Sequence, residues 1–136
     1  RQYCAPGIDL PVASIMRTKF GEYPEYHTSL DDLINVVTPQ GLEGGYLAIQ
    51  RAIEAIEKNK NYKMKILCEP LMSKRGLYPT ISTIMSAQQV RLMMNFMTFC
   101  DGYHSLLEIA DLINVPIWEL YDLVKKLAEN KLIAPA

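Results

Sequence analysis

Residues 86–136 hold three stretches of helical spacing cut apart by two stop signals, and few folds accept that pattern. Ser86-x-x-Gln89 and Ser105-x-x-Glu108 both have the form of a capping box, in which the two side chains satisfy free N–H groups of a first helical turn. Val90, Met93, Met94, Met97 and Cys100 share one face of a helix predicted over 87–100. Leu106, Ile109, Ala110 and Ile113 do the same over 106–113, and Ile117, Leu120, Val124 and Leu127 over 117–129. Asp101-Gly102-Tyr103-His104 reads as the turn between the first two helices, with His104 a solvated turn residue. Asn114-Val115-Pro116 is the tight turn before the third, because Pro116 has no N–H to donate and forbids a continuous helix. A helix as short as 106–113 does not hold its shape alone and must pack on its neighbours. With Ala110 where two helices approach and Val115 and Leu120 where they pack, Ser105–Leu127 has helix-turn-helix spacing. The methionines of the first helix (Met93, Met94, Met97) belong to its core face rather than to a ligand set. Lys131-Leu132-Ile133 reads as an edge strand.

Charge argues against the commonest partner of such a motif. Of the net −1, residues 86–136 carry four Lys/Arg against six Asp/Glu, and residues 1–85 ten against nine. A recognition helix normally brings Lys, Arg, Asn or Gln to base edges and phosphates. Here the third helix offers Trp118, Glu119, Tyr121, Asp122, Lys125 and Glu129, and the chain stops at Ala136 without a basic wing hairpin. The expectation is no nucleic-acid partner, and protein contact through Trp118 and Tyr121. No apolar run approaches the roughly 20 residues of a membrane-spanning helix. Cys4, Cys68 and Cys100 are odd in number and form no Cys-x-x-Cys pair, which fits a reducing cytoplasm and no disulfide framework.

The first 85 residues are less regular. Val12-Ala13-Ser14-Ile15-Met16 after Pro11 reads as a short buried strand, and Thr18–Asp32 as a polar, aromatic loop broken by Gly21 and Pro24. Asp31–Val37 allows a short helix. Thr38 and Pro39 suit the N-cap and first position of a longer one, along which Leu42, Tyr46, Ile49, Ile53 and Ile56 form an apolar stripe to about Glu57. Gly44-Gly45 weakens that helix by roughly 1 kcal/mol per glycine and suggests close approach of another backbone. Tyr62–Cys68 alternates apolar and basic residues as a half-exposed strand does, and 69–85 reads as a connector. The lysines and Arg75 of 58–75 read as a solvated face. The expected division is 1–60, 61–85 and 86–136.

Phe20-Gly21-Glu22-Tyr23-Pro24-Glu25-Tyr26-His27-Thr28-Ser29-Leu30-Asp31-Asp32 resembles the last active-site segment of the aminopeptidase-like family related to di-zinc aminopeptidases. The order of His27-Thr28-Ser29-Leu30-Asp31 and then the helix over 39–57 matches, as do Arg1–Gly7 and Glu69–Pro79. The resemblance implies an α+β chain: the tail of an α/β zinc-peptidase-like domain, then a winged-helix-type, helix-turn-helix three-helix module. It implies His27 as one zinc ligand, with Asp31 or Asp32 at most orienting it, no assigned role for Glu22 or Glu25, and Arg1 and Tyr3 beside the substrate cleft. The other ligands of that family lie upstream of the matching segment. The chain, which starts at Arg1 with no signal-peptide pattern, is therefore expected to be the carboxy-terminal piece of a zinc-dependent hydrolase of peptides or amides. By itself it is expected to hold no zinc tightly and to be inactive, since zinc needs three or four ligands. The alternative is a non-enzymatic module that contacts or dimerises with protein, through 1–60 or through Trp118 and Tyr121.

Overall fold

Asn61–Met64 (β1) is paired on both edges. It runs antiparallel to Asp101–Ser105 (β2) on one side and to Ile133–Pro135 (β3) on the other, giving the sheet order β2-β1-β3. In this computed structural model, residues 3–78 and 84–136 are described. They fall into two compact units, 1–52 and 53–136. The helices are α1 (Pro39–Lys58), α2 (Ile84–Phe99), α3 (Leu106–Leu112) and α4 (Tyr121–Glu129), with 3₁₀ turns at Met72–Arg75 and Ile117–Leu120. The described residues are thus mixed, helical with one small sheet. No helix among the described residues is long and apolar enough to cross a membrane.

The second unit has the core. Phe96, Ile109, Leu120, Leu127 and Leu132 are fully buried, with Met72, Met93, Met97, Cys100 and Leu106 nearly so. The inward faces expected of all three helices are found, and Pro116 does separate α3 from the turn that leads into α4. Phe96 is an addition that the Met93–Met94–Met97 spacing passed over; Met94 is only half-buried. Met72, in the expected connector, is also a core residue, so that part of the segment packs rather than merely links. Part of the connector, 79–83, lies outside the described residues.

Two local expectations change. Helix α2 begins at Ile84, so Ser86 lies inside its first turn and the first capping box is not a cap. Asp101–His104 is a strand, not a simple turn. Asp101 Oδ1 accepts from the N–H groups of Tyr103 (2.8 Å) and His104 (3.1 Å), a turn-like bracket inside a bulged strand. Asp101 Oδ2 lies 2.9 Å from His104 Nδ1, and the His104 side chain is 41% exposed, solvated as expected although its backbone is in a strand. Gly102 makes the bulge possible: its φ is +93°, and a Cβ there would lie 3.4 Å from the Cβ atoms of Lys63 and Ala136.

The second capping box holds. The Ser105 N–H donates to Glu108 Oε2 (2.7 Å) and the Glu108 N–H to Ser105 Oγ (3.3 Å). The next two free donors of α3 are also satisfied, Leu106 N–H by the Lys60 carbonyl (3.0 Å) and Leu107 N–H by Asn59 Oδ1 (2.9 Å). At the far end of α4, Arg75 Nη1 donates to the Asn130 carbonyl at 3.0 Å.

The first unit carries the larger corrections. The strand expected at 12–16 is absent. Val12 N–H turns back to the Leu10 carbonyl (2.8 Å), no neighbouring strand among the described residues offers it a ladder, and its side chains are exposed. Asp31–Val37 makes one turn, closed by Val36 and Val37 N–H on the Asp32 carbonyl, and not a helix. The Thr38 cap is as expected, with Gly41 N–H donating to Thr38 Oγ1 at 3.0 Å. The side chains of the stripe Leu42–Ile56 are at helical spacing but exposed, while Ala55, within the second unit, packs against that unit's core. A Cβ on Gly44 or Gly45 would meet nothing within 4 Å; the crowded glycine is Gly41, against the Arg17 guanidinium.

Replacing Ser105 by Ala is expected to lower unfolding free energy by about 1 kcal/mol, the usual worth of an N-cap. Gly102→Ala should lower it further, through the left-handed backbone and the close contacts together. Urea unfolding of both variants checks this, and a Gly102→Ala protein as stable as the parent would remove the bulge argument.

Stability should also fall in acid. The backbone N–H groups of Tyr103 and His104 hold the Asp101 carboxyl below its usual range, and the Ser105 N–H does the same for Glu108. A depressed folded-state value stabilises above the unfolded value, and that contribution is lost as pH falls through the folded one. Denaturant midpoints should therefore drop as pH falls below about 4, and the drop should shrink in Asp101→Asn.

Candidate functional site

Residues 18–37 of the first unit form a loop whose hydrogen bonds are almost all local. Thr28 Oγ1 donates to the Glu25 carbonyl (2.7 Å) and accepts from Leu30 N–H (3.2 Å). Tyr23 Oη donates to Asp31 Oδ2 at 3.0 Å, and desolvation together with that carboxylate pushes the Tyr23 hydroxyl up. Asp32 Oδ1 accepts from Asn35 N–H (2.7 Å) and Ile34 N–H (2.9 Å), which hold its carboxyl below the usual range. The rings of Phe20 and Tyr23 lean on Tyr26 at centroid distances of 6.2 and 5.6 Å.

His27 stands on this braced loop. Its φ is +61°, an uncommon backbone for a residue with a side chain, and its exposed ring packs edge-on to Tyr26 at 4.3 Å. Asp31, read from the resemblance as at most an orienting group, accepts from Tyr23, and Asp32 accepts from Ile34 and Asn35. Among the described residues no three His, Cys, Asp or Glu side chains converge in a metal-binding group. As a donor set these residues do not amount to a zinc site, which takes at least three protein ligands. Beside the loop lies a cleft of about 470 Å³ whose lining includes Arg17, Tyr23, Glu25, Asn35 and Gly41 but not His27. Tyr3, expected beside a substrate cleft, is exposed; Arg1 lies outside the described residues.

The second surface is the helix-turn-helix of the second unit. Trp118 is 43% exposed, and Glu119, Asp122, Lys125, Lys126 and Glu129 face outward around it. Tyr121, expected to be exposed, is not. Lys58 Nζ sits 4.2 Å from the centre of its ring, and its hydroxyl is buried without a hydrogen-bond partner among the described residues. Sequence spacing alone did not reveal that contact, because Lys58 comes from the end of α1. A second cleft, about 350 Å³, runs between α2 and α4 with Val90, Met93 and Leu123 inside and Glu119, Asp122 and Lys126 at its rim. The three thiols are free, Cys4 and Cys68 exposed and Cys100 buried. Burial, helped by Asp101, pushes the Cys100 thiol up to about 11, which makes it a poor nucleophile.

Residues 1–59 match a family described only as a domain of unknown function (DUF4910), and residues 60–135 match one described as winged helix-turn-helix. A Clostridium acetobutylicum protein provisionally named a polysaccharide biosynthesis protein with aminopeptidase-like domain is 38% identical over 112 residues, covering 81% of this chain and 25% of that protein. A crystal structure from the same organism, of a protein provisionally named a peptidase, matches 100% of this chain with a TM-score of 0.80 at 30% identity. The chain spans only 29% of that solved chain. The aminopeptidase-like resemblance thus has support from both a relative and a solved fold, over a part of each. With residues 60–135 matched, and with three helices and a small sheet in that stretch, the chain belongs to the winged helix-turn-helix family.

Proposed function

We propose that this chain is the carboxy-terminal part of a longer zinc-dependent aminopeptidase-like hydrolase, that His27 is one of its metal ligands, and that the winged unit contacts protein rather than nucleic acid. The observation that carries the reading is the loop itself: its hydrogen bonds hold a histidine at φ +61° with the ring left exposed. The kinship with a protein named for an aminopeptidase-like domain supports the reaction class, which is cleavage of a peptide or another amide. Zinc, when bound, polarises a carbonyl and lowers the pKa of its water. His27 would contribute one nitrogen to it, and the remaining ligands would come from polypeptide outside residues 1–136. The free exposed thiols of Cys4 and Cys68 suit a reducing cytoplasm.

Metal analysis after dialysis tests the metal reading. The 136-residue chain should retain no stoichiometric zinc. The longer protein should retain it and lose it on His27→Ala, with activity falling by more than the roughly 10–100-fold typical of losing a ligand's hydrogen-bonding partner. Unchanged zinc in that variant would remove His27 from the site.

The outward-facing Glu119, Asp122 and Glu129 of the recognition-helix region carry the second part of the reading. Labelled duplexes should bind no tighter than the ~10⁻⁴–10⁻⁶ M of non-specific contact. Tighter binding that weakens steeply between 50 and 200 mM salt, and vanishes in Lys125→Ala/Lys126→Ala, would make the unit a DNA reader.

A further inference from the structure

The charges of the second unit are segregated along its chain. Residues 58–75 carry six Lys/Arg against Glu69 alone, whereas 101–122 carry five Asp/Glu and no Lys or Arg. Each region also holds an apolar feature left open. In the basic region it is Leu67, whose 93% exposure is the highest of any large apolar side chain among the described residues. Lys63 and Lys65, four and two residues before it, are exposed too. In the acidic region it is the cleft of about 350 Å³ between α2 and α4, with Met93 buried at its base and Val90 and Leu123 half-buried beside it. Glu119 and Asp122 stand on its rim, with Lys126 one helical turn beyond Asp122. Among the described residues neither carboxylate makes a salt bridge.

We propose that the winged unit associates with a second copy of itself, Leu67 of one copy entering the α2–α4 cleft of the other while Lys65 meets Glu119 and Asp122. A single exposed leucine is ordinary, and an open apolar cleft is common. Here the leucine brings its own cations, and the cleft of the same unit brings carboxylates that lack any. The two features therefore complement each other in shape class and in charge, which is what selects one partner over another. A cleft of this size falls within the roughly 300–1,000 Å³ of ligand sites and has room for an aliphatic side chain. A nucleic acid is the wrong occupant, because Glu119 and Asp122 repel phosphate and an apolar floor offers it nothing. The inference rests on the reading that the winged unit contacts protein, and it names that protein; it does not require zinc.

Sedimentation of the 136-residue chain over a rising concentration series tests it. A contact this small falls below the roughly 1,200 Å² of stable complexes, so association is weak and depends on concentration. The dissociation constant should rise about tenfold or more in Leu67→Asp, in Lys65→Glu and in Glu119→Lys/Asp122→Lys, since each sets like charges together or a charge in the cleft. Combining Lys65→Glu with Glu119→Lys/Asp122→Lys in one chain should recover most of the loss, which a misfolded variant could not do. A chain that stays monomeric at every concentration would overturn the proposal. So would association that none of these substitutions changes, since it would then run through another face, such as the apolar stripe of α1. Association with these dependences alongside tight, salt-sensitive duplex binding supports the pairing and sinks the protein-only reading. A monomer that meets duplexes only non-specifically does the opposite.

Discussion

The second unit depends on the two-sided pairing of four residues, Asn61–Met64. A strand this short has little stability of its own, and each edge alone would be marginal. Bonded on both edges, it joins segments about 40 and 70 residues further along the chain into one sheet. Its leading residues do a second task, because Asn59 and Lys60 satisfy the first free donors of α3. The third strand brings Leu132 and Ile133 onto the core that contains Phe96 and Leu127. The helix-turn-helix is therefore closed by residues that precede it, with β3 after α4 completing the sheet.

How much of this was legible follows from the range of each interaction. Caps, proline breaks and helical stripes act over three or four residues, and those of α3 and α4 were read correctly. The β2 strand was not, because Asp101 and Gly102 carry turn chemistry and nothing within the segment reveals that Asn61 and Lys63 lie alongside it. Tyr121 was misplaced for the same reason: its partner, Lys58, is remote in sequence. The stripe of α1 was legible as a stripe, but periodicity cannot say what covers it. The 12–16 segment was read as a strand from its side chains, whereas a strand is a property of two chains of hydrogen bonds. At the loop, His27 could be singled out only by its surroundings in sequence, while the commitment of Asp31 and Asp32 to other partners needed coordinates.

The two surfaces differ in how they are organised. The His27 loop uses its carboxylates and hydroxyls to fix its own shape, so the histidine is positioned by neighbours within a dozen residues and depends little on the rest of the unit. The helix-turn-helix is the reverse: its shape is set by a distant strand, while its outward chemistry is local to α4. A fold shared with nucleic-acid readers carries no obligation to read nucleic acid, because backbone geometry positions a helix and side-chain charge decides what it meets.

Cys100 gives this molecule a built-in clock. It sits at the junction of α2 and β2, buried, with its thiol pushed up to about 11. In the closed state it is screened twice, by lack of access and by lack of thiolate. Exposed to solvent, the same sulfur returns to the ordinary cysteine range near 8.5 and becomes reactive. The rate at which Cys100 is consumed by an excess of reagent therefore counts openings of the winged unit's core, and the exposed Cys4 and Cys68 supply the reference for an unshielded thiol in the same chain.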